Sequence, residues 1–296
     1  MLFYGYLSAL IATIIWSGNF IVARDLIDAI PPVSLAYWRW TVATIVLFPF
    51  AIKPLLNDWS ILKKHKLYIT ITAILGVSVF NTLIYIGSHT TSVMNLSLIS
   101  ITFPIFIIIL SRIYFKESIT TNKYIGVLLV AIGIVTLVTK GDLTVLASLN
   151  FAAGDIWMLL GAITFAVYSL LVNKKPQQIG TRSFQLITFI IGLLFLSPFY
   201  IWEASHSNFE IQNISNATLY SILYIGLFAS LVSYFLWAKA VATIGATRSS
   251  MIYYTLPVFS GVSAYLFLGE EIKSIHLLSM LLIVIGILTA IYNKTK

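Results

Sequence analysis

Ten apolar stretches, each about as long as one membrane crossing, constrain this chain more than any other feature. A helix needs about 20 mostly apolar residues to cross the hydrocarbon core of a bilayer, and charged residues make up only 9% of the sequence. The stretches are continuous, whereas strands of a membrane barrel alternate in segments of about ten residues. The sequence therefore predicts an all-α integral membrane protein with ten transmembrane helices, at about 2–22, 33–52, 67–88, 93–114, 121–139, 154–172, 183–202, 218–238, 247–268 and 274–292.

One sequence unit occurs twice in the chain. Four residues recur without a gap 153 positions further on, so that Thr90, Pro104, Glu117 and Gly133 are repeated as Thr243, Pro257, Glu270 and Gly286. Near the beginnings of the two halves, an offset of 149 pairs Gly5 with Gly154. A duplication explains these identities better than chance similarity between apolar helices. We therefore predict two five-helix repeats, 1–140 and 150–296.

Lysines and arginines indicate how the predicted spans are oriented. Fourteen of the 18 fall in loops on the side of the N terminus, three (Arg24, Lys140 and Lys273) fall on the other side, and Arg39 lies within a span. Basic loops remain in the cytoplasm, so both termini are predicted to be cytoplasmic. Because five is an odd number, the second repeat must cross the membrane in the opposite sense to the first. Inverted repeats of this kind are common in secondary transporters, which bind substrate near the midplane between the halves.

Enzyme motifs are absent from the sequence. It contains no metal-binding or phosphate-binding motif and no cysteine, so no cofactor, metal site or disulfide is predicted. All ten acidic residues fall at span ends or in loops, which leaves no proton-carrying carboxylate at the midplane. Ion coupling is therefore either absent or located near a mouth, for example at His89 or Asp155. A membrane-embedded lipid enzyme would need clustered acids within the spans, and a channel would need a continuous polar stripe.

Arg39 is the one charged residue placed inside a span, about six residues from its outer end. Its guanidinium group could bind a carboxylate or phosphate of a substrate through two hydrogen bonds. Alternatively, the side chain extends outward or pairs with Asp25 or Asp28 in the neighbouring loop. That arrangement would avoid part of the cost of a central charge, which is roughly 2.5–3.5 kcal/mol. The sequence leaves both interpretations open.

Amide and aromatic residues inside the spans are the other candidates for a substrate pocket. Trp16 and Asn19, like Asn81 and Tyr85, are three or four residues apart and so share a helix face. An amide in hydrocarbon needs a hydrogen-bond partner, so these residues should face protein or a wet cavity. The alternative is ordinary packing and hydrogen bonding between helices. The predicted substrate-binding residues are Trp16, Asn19, Arg39, Asn81, Tyr85, Asn95, Tyr168, Tyr234, Trp237, Tyr253 and Tyr254.

Prolines at matched positions predict kinks in two helices. Pro104 and Pro257 stand within the fourth and ninth spans, and each removes one backbone hydrogen bond. They act either as hinges between two states or as static kinks that shape a cavity. Glu117 and Glu270 are interpreted as turn and cap residues. Glycines such as Gly126 let backbones approach closely, and packing within the chain is favoured over a dimer contact.

Several short motifs in this order carry a family resemblance. They are Trp16-Ser17-Gly18-Asn19-Phe20, Arg39, and two segments from a proline to an acidic break, Pro104 to Lys116-Glu117 and Pro257 to Gly269-Glu270. Over essentially the whole chain the sequence resembles the EamA-type proteins of the drug/metabolite transporter superfamily. The resemblance implies a ten-helix carrier of the bacterial inner membrane, often an exporter of amino acids or other small metabolites, with a cavity lined mainly by helices 1, 3, 4, 6, 8 and 9. The chain departs from the pattern at Lys116, where the second copy has Gly269, and in lacking a sixth-span tryptophan that matches Trp16.

These features together predict a secondary transporter that moves a small metabolite across the bacterial cytoplasmic membrane by alternating access. The favoured cargo is an amino acid or related amphipathic compound, and the favoured direction is export. Uptake of a cationic or nucleotide-linked metabolite is the alternative within transport. The predicted partners are the substrate and membrane lipid, with a monomer as the expected state. The excess of basic residues is accounted for by the short loops, so no nucleic-acid partner is predicted.

Overall fold

The computed structural model is helical, and no strand occurs among the residues it describes. These residues are 1–26, 28–91, 96, 99–100, 102–139, 141–142, 144–147, 152–207, 209–259, 262 and 274–291. The predicted residues Asn95 and Glu270 lie outside them. Within the described part, ten helical segments stand at the predicted spans: α1 Leu2–Asp25, α2 Pro32–Asn57, α3 Lys66–Thr90, α4 Thr102–Phe115, α5 Thr121–Thr139, α6 Ala153–Asn173, α7 Thr181–His206, α8 216–244, α9 246–253 and α10 Ser274–Ile291.

Many of these helices are suited to a membrane by length and composition. Among the described residues, five stretches are long and apolar enough to cross a bilayer, namely Pro32–Asn57, Lys66–Thr90, Ala153–Asn173, Thr181–His206 and Asn216–Tyr253. Three shorter apolar helices are Thr102–Phe115, Thr121–Leu137 and Leu277–Ile291. The predicted all-α membrane fold is confirmed.

Two helix starts show how the sequence sets their positions. α2 begins at Pro32, where the absence of an N–H costs nothing. The free N–H groups of its first turn point at Glu203 near the end of α7, whose carboxylate accepts hydrogen bonds from the backbone N of Val33 at 3.1 Å and of Ser34 at 2.6 Å. α8 begins after Ser215, whose hydroxyl accepts a hydrogen bond from the backbone N of Thr218 at 3.1 Å. Each cap satisfies donors that the helix itself leaves open.

The boundary between α8 and α9 is a single glycine. Gly245 has φ 82° and ψ 159°, a backbone conformation that residues other than glycine rarely adopt. The helix before it continues past the predicted end at 238. Lys239 lies within this helix. Its long side chain reaches Tyr4 in the first turn of α1, where Nζ lies 5.7 Å from the ring centroid. A lysine at a membrane interface can extend in this way while the helix continues.

The regular hydrogen bonding of α9 ends just before Pro257. The backbone N of Tyr254 donates to the carbonyl of Met251 at 3.3 Å, and the N of Thr255 donates to the carbonyl of Ile252 at 3.0 Å. These bonds reach three residues back, whereas an α-helix reaches four. The chain is helical again from 256 to 259, so the proline lies in a separate helical turn.

The helices pack in pairs that an inverted duplication explains. α2 packs on α7, α5 on α10 and α4 on the segment 233–253, while α1 packs along 233–253 as α6 packs along α3. Gly5 lies against Thr243, since a Cβ added to Gly5 would lie 3.0 Å from the Thr243 Cβ. A Cβ added to Gly154 would lie 2.6 Å from Thr90 Oγ1. Gly5 and Gly154 are repeat equivalents, as are Thr243 and Thr90, so the same contact between the halves occurs twice, with the roles of the halves exchanged.

α3 and α8 each contain a π-helical segment at matching positions. These segments are Ile74–Val79 in α3 and Ile225–Val232 in α8. A π-segment loosens the regular backbone ladder and is frequent at functional sites. Carbonyl oxygens from both segments accept hydrogen bonds from aromatic side chains of the opposite half, as described below.

The two ends of the helices form two different surfaces. We call one the lysine-rich face, which carries Lys63, Lys64, Lys116, Lys123, Lys174, Lys175, Arg182 and Arg248. The opposite face carries Asp28, Asp142 and Glu203.

Candidate functional site

A cluster of aromatic side chains fills the middle of the bundle. Trp16 of α1 is 6% exposed. Its ring centroid lies 5.4 Å from that of Phe165 in α6, 5.3 Å from that of Trp237 in α8 and 6.1 Å from that of Tyr253 in α9. The Trp16 and Phe165 rings meet edge to face at 84°, a favourable geometry for aromatic pairs. Further rings in the cluster are Phe80, Phe103, Tyr168 and Tyr234.

A buried arginine lies beside this cluster and holds three helices together. Arg39 of α2 is 0% exposed. Its Nε donates to Ser230 Oγ of α8 at 2.7 Å, and its Nη1 donates to Asn81 Oδ1 at 2.8 Å and to the Tyr85 hydroxyl at 2.5 Å, both in α3. All three partners are neutral. The guanidinium carbon also lies 5.4 Å from the Trp40 ring centroid, within range of a cation–π contact.

The polar network continues from the arginine to the aromatic cluster. The Tyr85 hydroxyl donates to Asn19 Oδ1 of α1 at 3.2 Å, and Asn81 Nδ2 donates to the Tyr234 hydroxyl of α8 at 3.1 Å. The Tyr234 hydroxyl in turn donates to the carbonyl of Gly76, in the π-segment of α3, at 2.6 Å. Each side chain in this chain of hydrogen bonds thus has at least one partner, as burial requires.

Trp16 makes the matching bond to the other π-segment. Its Nε1 donates to the carbonyl of Ala229 in α8 at 2.9 Å. Trp16 belongs to the first half and Ala229 to the second, whereas the bond from Tyr234 to Gly76 runs from the second half to the first. Two aromatic side chains of the cluster therefore bind the halves together through these π-segments.

A small cavity separates the aromatic and amide side chains. Its free volume is about 10 Å³, room for about one water molecule. The lining residues are Trp16, Asn19, Phe80, Asn81, Ile84, Phe165 and Tyr253. Two of the lining side chains are amides, which we call the amide wall, and four carry aromatic rings, which we call the aromatic wall. A metabolite would fit only after these side chains move apart.

The site lies where equivalent positions of the two halves meet. Asn81 and Tyr234 are 153 residues apart and are hydrogen-bonded at 3.1 Å. Trp16 and Phe165 are 149 residues apart, with ring centroids at 5.4 Å. In a structure with a pseudo-two-fold axis, a residue can contact its own equivalent only close to that axis. The cavity is therefore located at the interface between the repeats, where transporters built in this way bind substrate.

Carboxylate–threonine bonds connect the halves at both faces. At the lysine-rich face, Thr247 Oγ1 of α9 donates to Glu117 Oε2 at 2.9 Å, and Lys123 Nζ lies 4.0 Å from the same oxygen. At the opposite face, Thr91 Oγ1 donates to Asp155 Oδ1 of α6. Asp155 also accepts a hydrogen bond from the backbone at the start of α6. The Asp155 carboxylate thus has a structural role in addition to the role in ion coupling that the sequence suggested.

An open cavity lies at the opposite face, above the central site. Its volume is about 640 Å³. It is lined by Asp28, Ala29, Ile30, Pro31, Pro32, His89, Ser207, Phe209, Glu210, Ile214, Ser215 and Thr218. His89, the second candidate for ion coupling, therefore lines this open cavity, which we call the vestibule, and is not part of the aromatic cluster.

Asp58 connects the ends of α2 and α7 at the lysine-rich face. Its Oδ2 accepts a hydrogen bond from the backbone N of Gly180 at 2.9 Å. The nearby Ser183 hydroxyl, the Gly180 N–H and the charge of Lys175 hold the pKa of the Asp58 carboxyl below its usual range. Hydrogen bonds to the ionised form have this effect.

Nine of the eleven predicted binding residues belong to the connected aromatic and polar cluster, namely Trp16, Asn19, Arg39, Asn81, Tyr85, Tyr168, Tyr234, Trp237 and Tyr253. Tyr254 is different. It is buried in a second core cluster with Ile108, Val130 and Ile283, because one helical position turns its side chain about 100° away from Tyr253. Asn95 lies outside the described residues.

Arg39 is buried among neutral hydrogen-bond partners. Its side chain does not reach the surface, and its described partners are the neutral groups of Ser230, Asn81 and Tyr85. Asp28 is exposed in the vestibule, and the side chain of Asp25 lies outside the described part. Among the residues that the structure describes, no carboxylate pairs with this arginine.

The sequence analysis missed five residues of the site, namely Phe80, Ile84, Phe103, Phe165 and Ser230. Phe165 occupies the position that matches Trp16 at the offset of 149, so the repeat itself indicates it, although its type differs. Ser230 could not be singled out, because a serine among apolar residues more often bonds to its own helix. In the structure its hydroxyl accepts from Arg39 Nε and also donates to the carbonyl of Ile225 in the π-segment at 2.9 Å.

Comparison with known proteins agrees with this arrangement. The EamA-like transporter family matches the chain twice, at residues 3–139 and 152–292. The uncharacterized transporter YyaM of Bacillus subtilis is 26% identical over 96% of this chain and 92% of its own length. An uncharacterized transporter of Archaeoglobus fulgidus is 24% identical over 87% of each chain. A solved crystal structure with 16% identity has the same fold, with a TM-score of 0.74 over 97% of this chain and 96% of its own.

Proposed function

Since this chain belongs to the EamA-like transporter family, we propose that it is a secondary carrier that exports a small amphipathic metabolite, such as an amino acid, by alternating access. The proposed location is the bacterial cytoplasmic membrane, with the lysine-rich face and both termini in the cytoplasm. The distribution of basic residues supports this orientation. The direction of transport rests on the resemblance between the chain and exporters.

The observation that carries the proposal is the cavity between Asn19, Asn81 and the aromatic rings. It is located at the repeat interface, and both an amide wall and an aromatic wall line it. An amphipathic molecule would place its polar group on the first wall and its apolar group on the second. In the state described here the volume of about 10 Å³ excludes such a molecule, so binding requires the halves to separate.

Counterflow in liposomes tests the proposal. Purified protein is reconstituted into vesicles loaded with one unlabelled amino acid at a time, and entry of the labelled compound is followed. We expect uptake above protein-free vesicles for at least one amphipathic amino acid. Trp16→Ala and Tyr85→Ala should reduce it, since the first removes a wall of the cavity and the second removes the link between Arg39 and Asn19.

Two exposed residues provide matched controls. Trp202 is 65% exposed and Tyr220 is 69% exposed, so Trp202→Ala and Tyr220→Ala remove the same side chains away from the cavity. Both control variants should transport like the unmodified protein. If Trp16→Ala and Tyr85→Ala fold and transport equally well, the cavity is not the binding site. If no amino acid exchanges, the proposed cargo is wrong.

A further inference from the structure

We propose that the central cavity binds the carboxylate group of its ligand, through the free amide donor of Asn19 and the positive charge of Arg39. This inference rests on the proposed transport function, because it names the chemical group by which the carrier recognises its substrate. It concerns the amide wall of the cavity, and three observations support it.

The first observation is a buried positive charge without a counter-charge. Arg39 is fully buried, and Ser230, Asn81 and Tyr85, all neutral, are its hydrogen-bond partners. No carboxylate in the described part of the chain lies within ion-pair distance of it. A charge inside the membrane is costly unless it is paired, and such residues commonly mark substrate pathways. An anion in the cavity would supply the missing counter-charge.

The second observation is the direction in which the network points its donors. Arg39 Nη1 donates to the Tyr85 hydroxyl, and that hydroxyl donates its own proton to Asn19 Oδ1 at 3.2 Å. The Asn19 oxygen is thereby occupied, and its Nδ2 group remains to donate. Asn19 is 4% exposed and lines the cavity, and its Nδ2 has no acceptor among the described residues. A buried donor of this kind calls for an acceptor, which a ligand can provide.

The third observation is the aromatic wall. The rings of Trp16, Phe165 and Tyr253 line the same cavity and are suited to an apolar group or, on their faces, to an ammonium group. The lining therefore offers two kinds of surface, namely the amide wall with its donor and the nearby guanidinium, and the aromatic wall. An ammonium group placed at the amide wall would meet a like charge. A carboxylate at that wall is favoured.

Four probes that share one phenyl group test this inference. They are 3-phenylpropanoate, phenylalanine, phenylalaninamide and phenethylamine, of which only the first two carry a carboxylate. Their dissociation constants are measured by thermal shift with the detergent-solubilised full-length protein, since a ligand of the folded state raises its apparent stability. We expect the two carboxylates to bind roughly tenfold or more tightly than the amide and the amine, because they pair a buried charge.

Two substitutions show whether Arg39 causes this preference. Arg39→Gln should abolish the preference for carboxylates, while Arg182→Gln, at an exposed arginine of the lysine-rich face, should preserve it. Asn81→Asp places a carboxylate about 2.8 Å from Arg39 Nη1, so the protein supplies the counter-charge itself. This variant should fold at least as stably and should lose the carboxylate preference. Asn216→Asp, at an exposed position, is its control.

The outcomes separate this inference from the proposed function. If the amine or the amide binds as tightly as the carboxylates, or if none of the four probes binds, the inference is overturned. It is also overturned if Arg39→Gln folds and retains the preference, which would make Arg39 a structural link between helices. Counterflow is scored separately: exchange of an amine would leave the carrier function standing, whereas carboxylate binding without exchange of any amino acid would count against transport alone.

Discussion

Replacing Gly126 with alanine tests a close contact between two helices. α5 and α10 meet at Gly126 and Gly286, where a Cβ added to Gly126 would lie 2.5 Å from the Gly286 carbonyl oxygen and 2.6 Å from the Cβ of Ala290. Ordinary van der Waals contact begins at about 3.4 Å. The neighbours are backbone and Cβ atoms, which cannot rotate away. The two helices must therefore separate by close to 1 Å to admit one methyl group.

The size of the effect follows from two opposing terms. Alanine favours a helix over glycine by about 1 kcal/mol, which raises the free energy of unfolding. Overpacking of a tight contact costs typically 1–3 kcal/mol, and the upper part of this range applies because the contact is with backbone. We expect a net loss of about 1–2 kcal/mol. For a chain of this size, that corresponds to a fall in Tm on the order of 5 °C.

Gly161 in α6 provides the matched control. A Cβ there would have its nearest neighbour at 3.7 Å, so Gly161→Ala should keep the helix-propensity gain and leave stability equal or higher. Both variants are compared by thermal unfolding in the same detergent. Equal stability of Gly126→Ala and Gly161→Ala would refute the close packing of α5 on α10. Ligand preference should be unchanged in either variant, since neither glycine lines the cavity.

Two further predictions concern the lysine-rich face. Thr247→Val removes the hydroxyl that donates to Glu117 at 2.9 Å, a bond worth about 1 kcal/mol. Since the chain has no cysteine, a buried Ser250→Cys substitution can serve as a reporter, and its thiol should be modified roughly fivefold faster when Thr247 is also replaced. An unchanged rate of modification would mean that the bond does not keep this face closed. Asp58→Asn should reduce the loss of stability in acid. Ser183 and its neighbours lower the pKa of Asp58 in the folded protein. The ionised carboxylate therefore stabilises the fold at a pH above the pKa that Asp58 has in the unfolded chain, and this stabilisation is lost as the pH falls below about 4. Thermal unfolding at a series of pH values checks this, and identical profiles for the two proteins would contradict it.

The helical architecture could be predicted because the bilayer leaves few alternatives. Backbone groups in hydrocarbon must bond within their own segment, so a continuous apolar stretch determines a helix without any knowledge of its neighbours. The end of α8 was misplaced for the same reason. Lys239 breaks the hydropathy pattern, but its side chain extends to the ring of Tyr4 and the helix continues to Gly245. Hydropathy describes the composition of a segment, whereas the end of this helix depends on a backbone conformation.

The candidate binding residues were easier to predict than their contacts. A polar or aromatic residue in an apolar span is conspicuous, which is why Trp16, Asn81 and Tyr85 could be selected. Their partners could not be predicted, since Ser230 and the carbonyl of Ala229 become available through the π-segment of α8. The local sequence does not predict this π-helical segment, Ile225–Val232. Tyr254 was selected with Tyr253 because both are aromatic, although a single residue step places them in different parts of the core.

The repeat explains why the site combines a polar and an apolar wall. Pairs that remain identical in the two halves, such as Gly5 with Gly154, occupy positions where an added Cβ would lie 3.0 Å or less from an atom of a neighbouring helix, and a side chain there would separate the helices. Pairs that meet at the axis have diverged. Asn81 contacts Tyr234, and Trp16 contacts Phe165.

Divergence at the axis has a physical consequence for the ligand. Identical residues there would make the two sides of the cavity alike, so that a bound molecule would meet the same chemistry at either end. Arg39 illustrates the opposite case, because the position that matches it at the offset of 149 is Thr188, which bonds to its own helix. One half thus carries the charge and the other does not. We therefore expect such a cavity to distinguish the two ends of an amphipathic molecule, which a symmetric one could not do.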